Sequence, residues 1–195
     1  MTAVSFAIER GALLPALAAA NRAVEKRNTI PILGNVLLKV EDGHLCVTGT
    51  NLDIEVQAVA KQEGLPTIAP FTVQSGLLHD AVKKFADGSM VEFEGDQTHV
   101  NIKSGRSRFR LQVLPASDFP EMAVDDFTHE FSIAGSTLAR VLATVGFAIS
   151  TEETRYYLNG VYMHVAEGAD GPSLRCVATD GHRLARVEIP LPDGA

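Results

Sequence analysis

The chain repeats itself, and this constrains its fold more than any other feature. Phe6-Ala7-Ile8 opens the run FAIERGALLPALAAANRAV, and Phe131-Ser132-Ile133 opens FSIAGSTLARVLATVGFAI, an offset of 125 residues. At that offset Leu13 meets Leu138, Leu17 meets Leu142, Leu33 meets Leu158 and Val36 meets Val161. IPILGNVLL therefore aligns with RYYLNGVYM without a gap. Further on the offset reads as 130, with Cys46-Val47 against Cys176-Val177 and Ile54 against Leu184. The five extra residues are assigned to the stretch 167–172, where Gly and Pro make insertion cheap. Self-similarity of this kind marks one structural unit used twice. The expected division is residues 1–124 and 125–195, the first a complete domain and the second the N-terminal half of another.

Periodicity gives the elements. Residues 10–24 carry Leu13, Leu14, Leu17 and Ala20 at helical spacing, residues 75–86 carry Leu77, Leu78, Ala81, Val82 and Phe85, and residues 136–149 repeat the first pattern. Ser75 reads as a helix cap and Asp87-Gly88 as a stop. VLLKV, HLCVTG and DIEVQAV alternate and are rich in β-branched residues, as do residues 90–94, 99–103 and 108–113. Helices set apart from antiparallel hairpins predict an α+β architecture. The absence of βαβ alternation argues against a doubly wound sheet or an α/β barrel.

The chemistry is sparse. Cys46 and Cys176 lie in apolar runs without a CxxC partner or a His at ligand spacing, which predicts two reduced, buried thiols in a cytosolic protein. No apolar run is long enough for a membrane span, and MTAVSFAIER lacks the form of a signal peptide. No G-x-S-x-G or phosphate-binding G-x-x-x-x-G-K occurs. Asp180 and His182 are two apart and would share a face of a strand, so a small metal-dependent hydrolase is one reading; a polar turn is the other. His44, His79, His99, His129 and His164 are scattered. A net charge of −7 lowers the expectation of nucleic-acid binding without removing it, because a local basic face survives an acidic total. Such faces are offered by Arg22, Lys26 and Arg27, by Lys83 and Lys84, and by Lys103, Arg106, Arg108 and Arg110. If Arg155-Tyr156-Tyr157-Leu158 is a strand beside residues 179–184, Leu158, Thr179, His182 and Leu184 could line a shallow apolar cleft; plain core packing is the other reading, and a stand-alone peptide-binding module without DNA binding is a competing function.

TIPILGNVLLKV, VTGTNLDIEV, SGRSRFRLQVLPASDFP, TRYYLNG and VATDGHRLA, in this order, resemble the beta subunit of bacterial DNA polymerase III, the sliding-clamp family, over about Phe6 to Pro190. The resemblance implies a DNA-clamp fold with three similar domains per subunit. Two subunits close head-to-tail into a homodimeric ring, with helices lining the pore and antiparallel sheets forming the outer wall. It implies a cytoplasmic, non-catalytic processivity factor with no cofactor and no metal, a DNA-directed DNA polymerase only by association. Its partners would be double-stranded DNA, bound without sequence preference, and the polymerase III core, the clamp loader and repair polymerases, bound through short linear motifs. By resemblance Arg27, Lys83 and Tyr156 contact DNA. Arg155, Tyr157, Leu158, Thr179, Gly181, His182, Arg183 and Leu184 line the partner-peptide cleft, and Phe109 and Leu111 mark the edge that meets the next subunit. Gly76 departs from relatives that carry a basic residue there. Against this family the second domain would be half present and the third absent.

Overall fold

The computed structural model describes residues 4–25, 30–120, 122, 129–168 and 171–195. They form two compact units, Met1–Ala123 and Val124–Ala195.

The first unit runs β1 (Val4–Glu9), α1 (Arg10–Ala20), β2 (Asn35–Glu41), β3 (His44–Thr50), β4 (Glu55–Val59), β5 (Phe71–Gln74), α2 (Ser75–Lys83), β6 (Met90–Gly95), β7 (His99–Ser104) and β8 (Ser107–Leu114). The strands pair antiparallel in the order β1-β6-β7-β8-β5-β2-β3-β4. Alternation puts Val4, Phe6 and Ile8 of β1, Val91 and Phe93 of β6, and Val100 and Ile102 of β7 on the inner face, where one apolar core also takes Leu13 and Leu17 of α1 and Leu78 and Val82 of α2. Phe6 and Phe93 stack at 4.6 Å between ring centroids, and Phe71 tilts against both at 6.5 Å.

This unit is itself built twice, from β1–α1–β2–β3–β4 and β5–α2–β6–β7–β8. Phe6 corresponds to Phe71, Leu13 to Leu78, Ala16 to Ala81 and Leu17 to Val82, and every one of these side chains is buried. Sequence periodicity found the larger repeat and missed this one.

All three helices are shorter than the apolar spacing predicts. α1 stops at Ala20 and α2 at Lys83. Ser75 is not a cap but the first helical residue; its Oγ donates to Asn21 Oδ1 at 2.6 Å, tying α2 to the residue that ends α1. The other end of α2 is closed from a distance. Arg10 Nε donates to the Val82 carbonyl and Arg10 Nη2 to the Lys83 carbonyl, each at 3.1 Å, while Nη1 pairs with Asp87. The cation thus adds hydrogen bonds at the carbonyl end of α2, where the helix dipole favours positive charge. Arg10→Ala is expected to destabilise the unit by about 2 kcal/mol, the scale of charge-assisted hydrogen bonds lost from a mostly buried group. Asp87→Ala should cost less, because the exposed ion pair is the weaker part. Urea unfolding midpoints of the two variants check this ordering.

The second unit contains α3 (Gly135–Val145), 3-10 turns over Gly146–Ala148 and Glu153–Leu158, and three antiparallel strands, β9 (Tyr162–Gly168), β10 (Gly171–Thr179) and β11 (Leu184–Pro190), ordered β11-β10-β9. Val141 of α3 packs on Leu174, Cys176 and Ile189, and Val145 and Ala148 pack on Ala178.

Strand register corrects the self-alignment. Lys39 faces Cys46 across β2 and β3, and His164, 125 residues after Lys39, faces Arg175 across β9 and β10. Cys46 therefore corresponds to Arg175, and the offset is 129. Four residues are inserted, not five. They lengthen the β9–β10 hairpin by two pairs, out to Gly168 opposite Gly171. Val47 takes the place of Cys176, and Glu55, not Ile54, the place of Leu184. The error matters because a slip of one residue moves a side chain to the opposite face of a strand.

Candidate functional site

The turn between β10 and β11 is held by its own side chains. Asp180 Oδ1 accepts from the His182 and Arg183 backbone N–H groups, both at 2.9 Å, and Oδ2 accepts from Arg183 Nε at 2.9 Å. Thr179 Oγ1 accepts from the Gly181 N–H at 3.1 Å and donates to the Arg183 carbonyl at 2.7 Å. Gly181 sits at φ +87°, the left-handed region where glycine carries little strain. A Cβ added there would stand 3.0 Å from Arg155 Nη1, so the Arg155 guanidinium lies directly over the turn. Arg155 in turn is clamped by Glu152, with Nε to Oε2 at 2.8 Å and Nη2 to Oε1. Arg183 also covers the Phe147 ring, 5.5 Å from its centroid.

The first unit contains the same device. Asn51 Oδ1 accepts from the Asp53 and Ile54 N–H groups at 3.1 and 2.9 Å, Thr50 Oγ1 accepts from the Leu52 N–H at 3.0 Å, and Leu52 takes the positive φ, +79°. Thr50, Asn51, Leu52 and Ile54 thus stand for Thr179, Asp180, Gly181 and Arg183, which independently supports the offset of 129.

Segment 155–158 is not a strand. Its residues form 3-10 turns, and the Ser150 N–H bonds to the Leu158 carbonyl at 3.1 Å. The two tyrosines therefore project instead of alternating across a sheet: Tyr156 is 79% exposed and Tyr157 70%. Leu158 is half-buried, and Leu184, the first residue of β11, is 64% exposed. Among the expected cleft residues, the structure joins Arg155 to Gly181 and sets Thr179, Gly181, His182 and Arg183 in one turn. Leu184 follows directly and pairs across the strands with Thr179.

Asp180 and His182 do not share a strand face either, since both lie in this turn. The backbone N–H groups of Arg183 and then His182 pull the Asp180 carboxyl down to about 2. An acid held so low makes a poor general base near neutrality, which weighs against hydrolase chemistry there. Among the described residues no group of three or more His, Cys, Asp or Glu is placed to hold a metal. The depressed value has a consequence for stability. The native carboxylate stabilises the fold fully above its ordinary value of 3.8, and that contribution is lost as pH falls toward 2. An acid titration followed by circular dichroism should show Asp180→Asn losing less stability than the parent between pH 4 and 2.

The remaining expected site residues lie elsewhere. Lys83 is exposed on the last turn of α2. Arg27 lies outside the described residues. Phe109 is 39% exposed, with its ring 5.9 Å from Phe85, whereas Leu111 is buried in the core of the first unit. Both lie on β8, whose residues 107–112 pair with β7 and whose residues 113–114 pair with β5. Sequence reasoning weighed Asp180 as a hydrolase or metal residue or as part of a polar turn, not as a residue of the cleft, and it passed over Glu152 and Phe147. The Asp-Gly pair signalled a turn, but nothing in sequence spacing links Phe147 to Arg183. Among the described residues no helix is long and apolar enough to cross a membrane.

Comparison with known proteins covers both units. Residues 4–123 match the family model for the N-terminal domain of the DNA polymerase III beta subunit, and residues 132–195 match the model for its central domain. The chain is 46% identical over 193 residues to the beta sliding clamp of Caulobacter vibrioides, covering 96% of this chain and 51% of that protein. It is 36% identical over 190 residues to that of Escherichia coli, covering 96% and 50%. A crystal structure of a sliding clamp from Bartonella birtlesii bound to griselimycin superposes with a TM-score of 0.93 at 42% identity, covering 98% of this chain and 51% of that one. The chain thus spans about half the length of the relatives it matches. With both family models matched in order and the fold shared, it belongs to the DNA polymerase III beta subunit family, the beta sliding clamps.

Proposed function

We propose that the protein is a non-catalytic sliding clamp that encircles duplex DNA and tethers the replicative polymerase through a peptide-binding cleft. It works in the cytoplasm as a head-to-tail homodimer without a cofactor, and the second unit is the N-terminal half of the central domain. Arg27, Lys83 and Tyr156 contact DNA phosphates without reading sequence, and sparse contacts of this kind suit an acidic protein that must slide. The exposed Tyr156 and Lys83 support this assignment. Phe109 meets the neighbouring subunit at the β8 edge, and Leu111 holds that strand to the core beneath. Arg155, Tyr157, Leu158, Thr179, Gly181, His182, Arg183 and Leu184 form this chain's part of the cleft, which receives short linear motifs from the polymerase III core, the clamp loader and repair polymerases.

The observation that carries the cleft is the self-braced turn over residues 179–183, covered by Arg155 and flanked by the exposed Tyr157 and Leu184. Sliding clamps from Bartonella birtlesii and Pseudomonas aeruginosa have been crystallised with griselimycin, and this ligand is proposed to seat in the cleft described above, which makes it the probe. The double variant Leu158→Ala, Leu184→Ala should bind griselimycin at least about tenfold more weakly in a calorimetric titration, the loss expected for truncating two apolar anchors. Unchanged affinity would remove the cleft from these residues.

A further inference from the structure

We propose that Asp180 is a positioning residue of the partner cleft: its charge holds the Arg183 guanidinium on the Phe147 ring, so that Arg183 meets an incoming peptide already oriented. This rests on the cleft reading above. The case comes from comparing the two turns in this one chain. Asn51 and Asp180 use the same oxygen, Oδ1, to accept two backbone N–H groups, at 3.1 and 2.9 Å in one turn and 2.9 Å for both in the other. The neutral amide makes the same two bonds, so the geometry of the turn alone does not require a charge. What differs is the second atom. Asn51 Nδ2 donates to Glu25 Oε1 at 3.4 Å, while Asp180 Oδ2 takes the Nε–H of Arg183 at 2.9 Å.

The residue at the end of each turn differs to match. Ile54 stands where the second unit has Arg183, and it offers nothing for a carboxylate to hold. Arg183 is fixed from two sides, by Asp180 at Nε and by the Phe147 face 5.5 Å below its guanidinium carbon, yet the side chain is still 58% exposed. Among the described residues its side chain hydrogen-bonds and ion-pairs through Nε only. The planar fork therefore keeps its terminal donors for a carbonyl or carboxylate on the partner. An arginine immobilised in advance spares the complex the loss of rotamer freedom on binding. Glu152, Arg155 and His182 are the other charged or titratable groups around the turn. Glu152 is occupied by Arg155, so Asp180 is the carboxylate left to hold Arg183.

The experiment combines Asp180→Asn, Arg183→Gln and their double variant. Asp180→Asn should lower the thermal midpoint at neutral pH, because the carboxylate's contribution is lost, yet keep the slow amide exchange of His182 and Arg183, because Oδ1 remains. It should speed exchange of the Arg183 Nε–H in NMR spectra and weaken griselimycin binding roughly fivefold, the upper range for a single exposed ion pair. Arg183→Gln should weaken binding by the same factor, and the double variant by no more than either, as coupled positions require. The inference is overturned if Asp180→Asn binds like the parent, if the two losses add, or if the turn amides lose protection. The cleft reading fails separately if the parent chain does not bind griselimycin or if the Leu158→Ala, Leu184→Ala variant binds normally; the inference then falls with it.

Discussion

Leu13→Ala and Leu78→Ala should each destabilise the first unit by about 3–4 kcal/mol, and by amounts that agree within about 1 kcal/mol. Both leucines are fully buried in one core, at corresponding positions of α1 and α2. Each has a buried Ala three residues on and a buried Leu or Val four residues on, so the two sites present nearly the same surroundings from opposite halves of a pseudo-twofold arrangement. The cost combines lost transfer of a buried side chain with the cavity left behind. Equilibrium urea unfolding of both variants gives the comparison. If one substitution were nearly silent while the other cost several kcal/mol, the two halves would not share a core in the manner described.

Gly49→Ala should cost about 3 kcal/mol or abolish folding, a large effect for adding one methyl group. A Cβ on Gly49 would stand 2.4 Å from the carbonyl oxygen of Ala20, 3.0 Å from its carbonyl carbon and 3.1 Å from Val24 Cγ2. The first two neighbours are backbone at the last residue of α1, which cannot swing aside as a flexible side chain would. Either the helix lifts from β3 or the strand bends, and both disturb close packing. Gly76→Ala is the matched control. It lies in α2 with nothing within 4 Å of the added carbon, and it should be neutral or stabilising by up to about 1 kcal/mol. Thermal unfolding of both variants separates the collision from a general intolerance of the fold to alanine.

Apolar spacing was enough to reveal the larger repeat, the three helices and most strands, because both units bury the same pattern of Leu, Ile and Val. It failed where a coincidence outweighed register. The shared Cys-Val pair drew the alignment to an offset of 130, while the ladder from Lys39 to Cys46 and from His164 to Arg175 requires 129. The repeat inside the first unit escaped notice because only Phe, Gly, Leu and Ala remain in common between FAIERGALLPAL and FTVQSGLLHDAV. Tyr156, Tyr157 and Leu158 have strand propensity, but the peptide bonds around them turn into 3-10 geometry. That change exposes the tyrosines. The Arg10 closure of α2 joins residues more than 70 positions apart, and local sequence carries no mark of it. For the candidate site, the polar turn at Asp180 was foreseeable from Asp-Gly. Its bonding to Arg183 and the platform provided by Phe147 were not, because those depend on how the 3-10 turns and the β10–β11 hairpin meet.

Retention on DNA of different topology tests the proposed function most directly. The protein carrying this sequence, loaded onto nicked circular duplex DNA, should remain bound through gel filtration and leave rapidly once the same DNA is cut to a linear form. Equal retention on circular and linear DNA would contradict a clamp that encircles and slides.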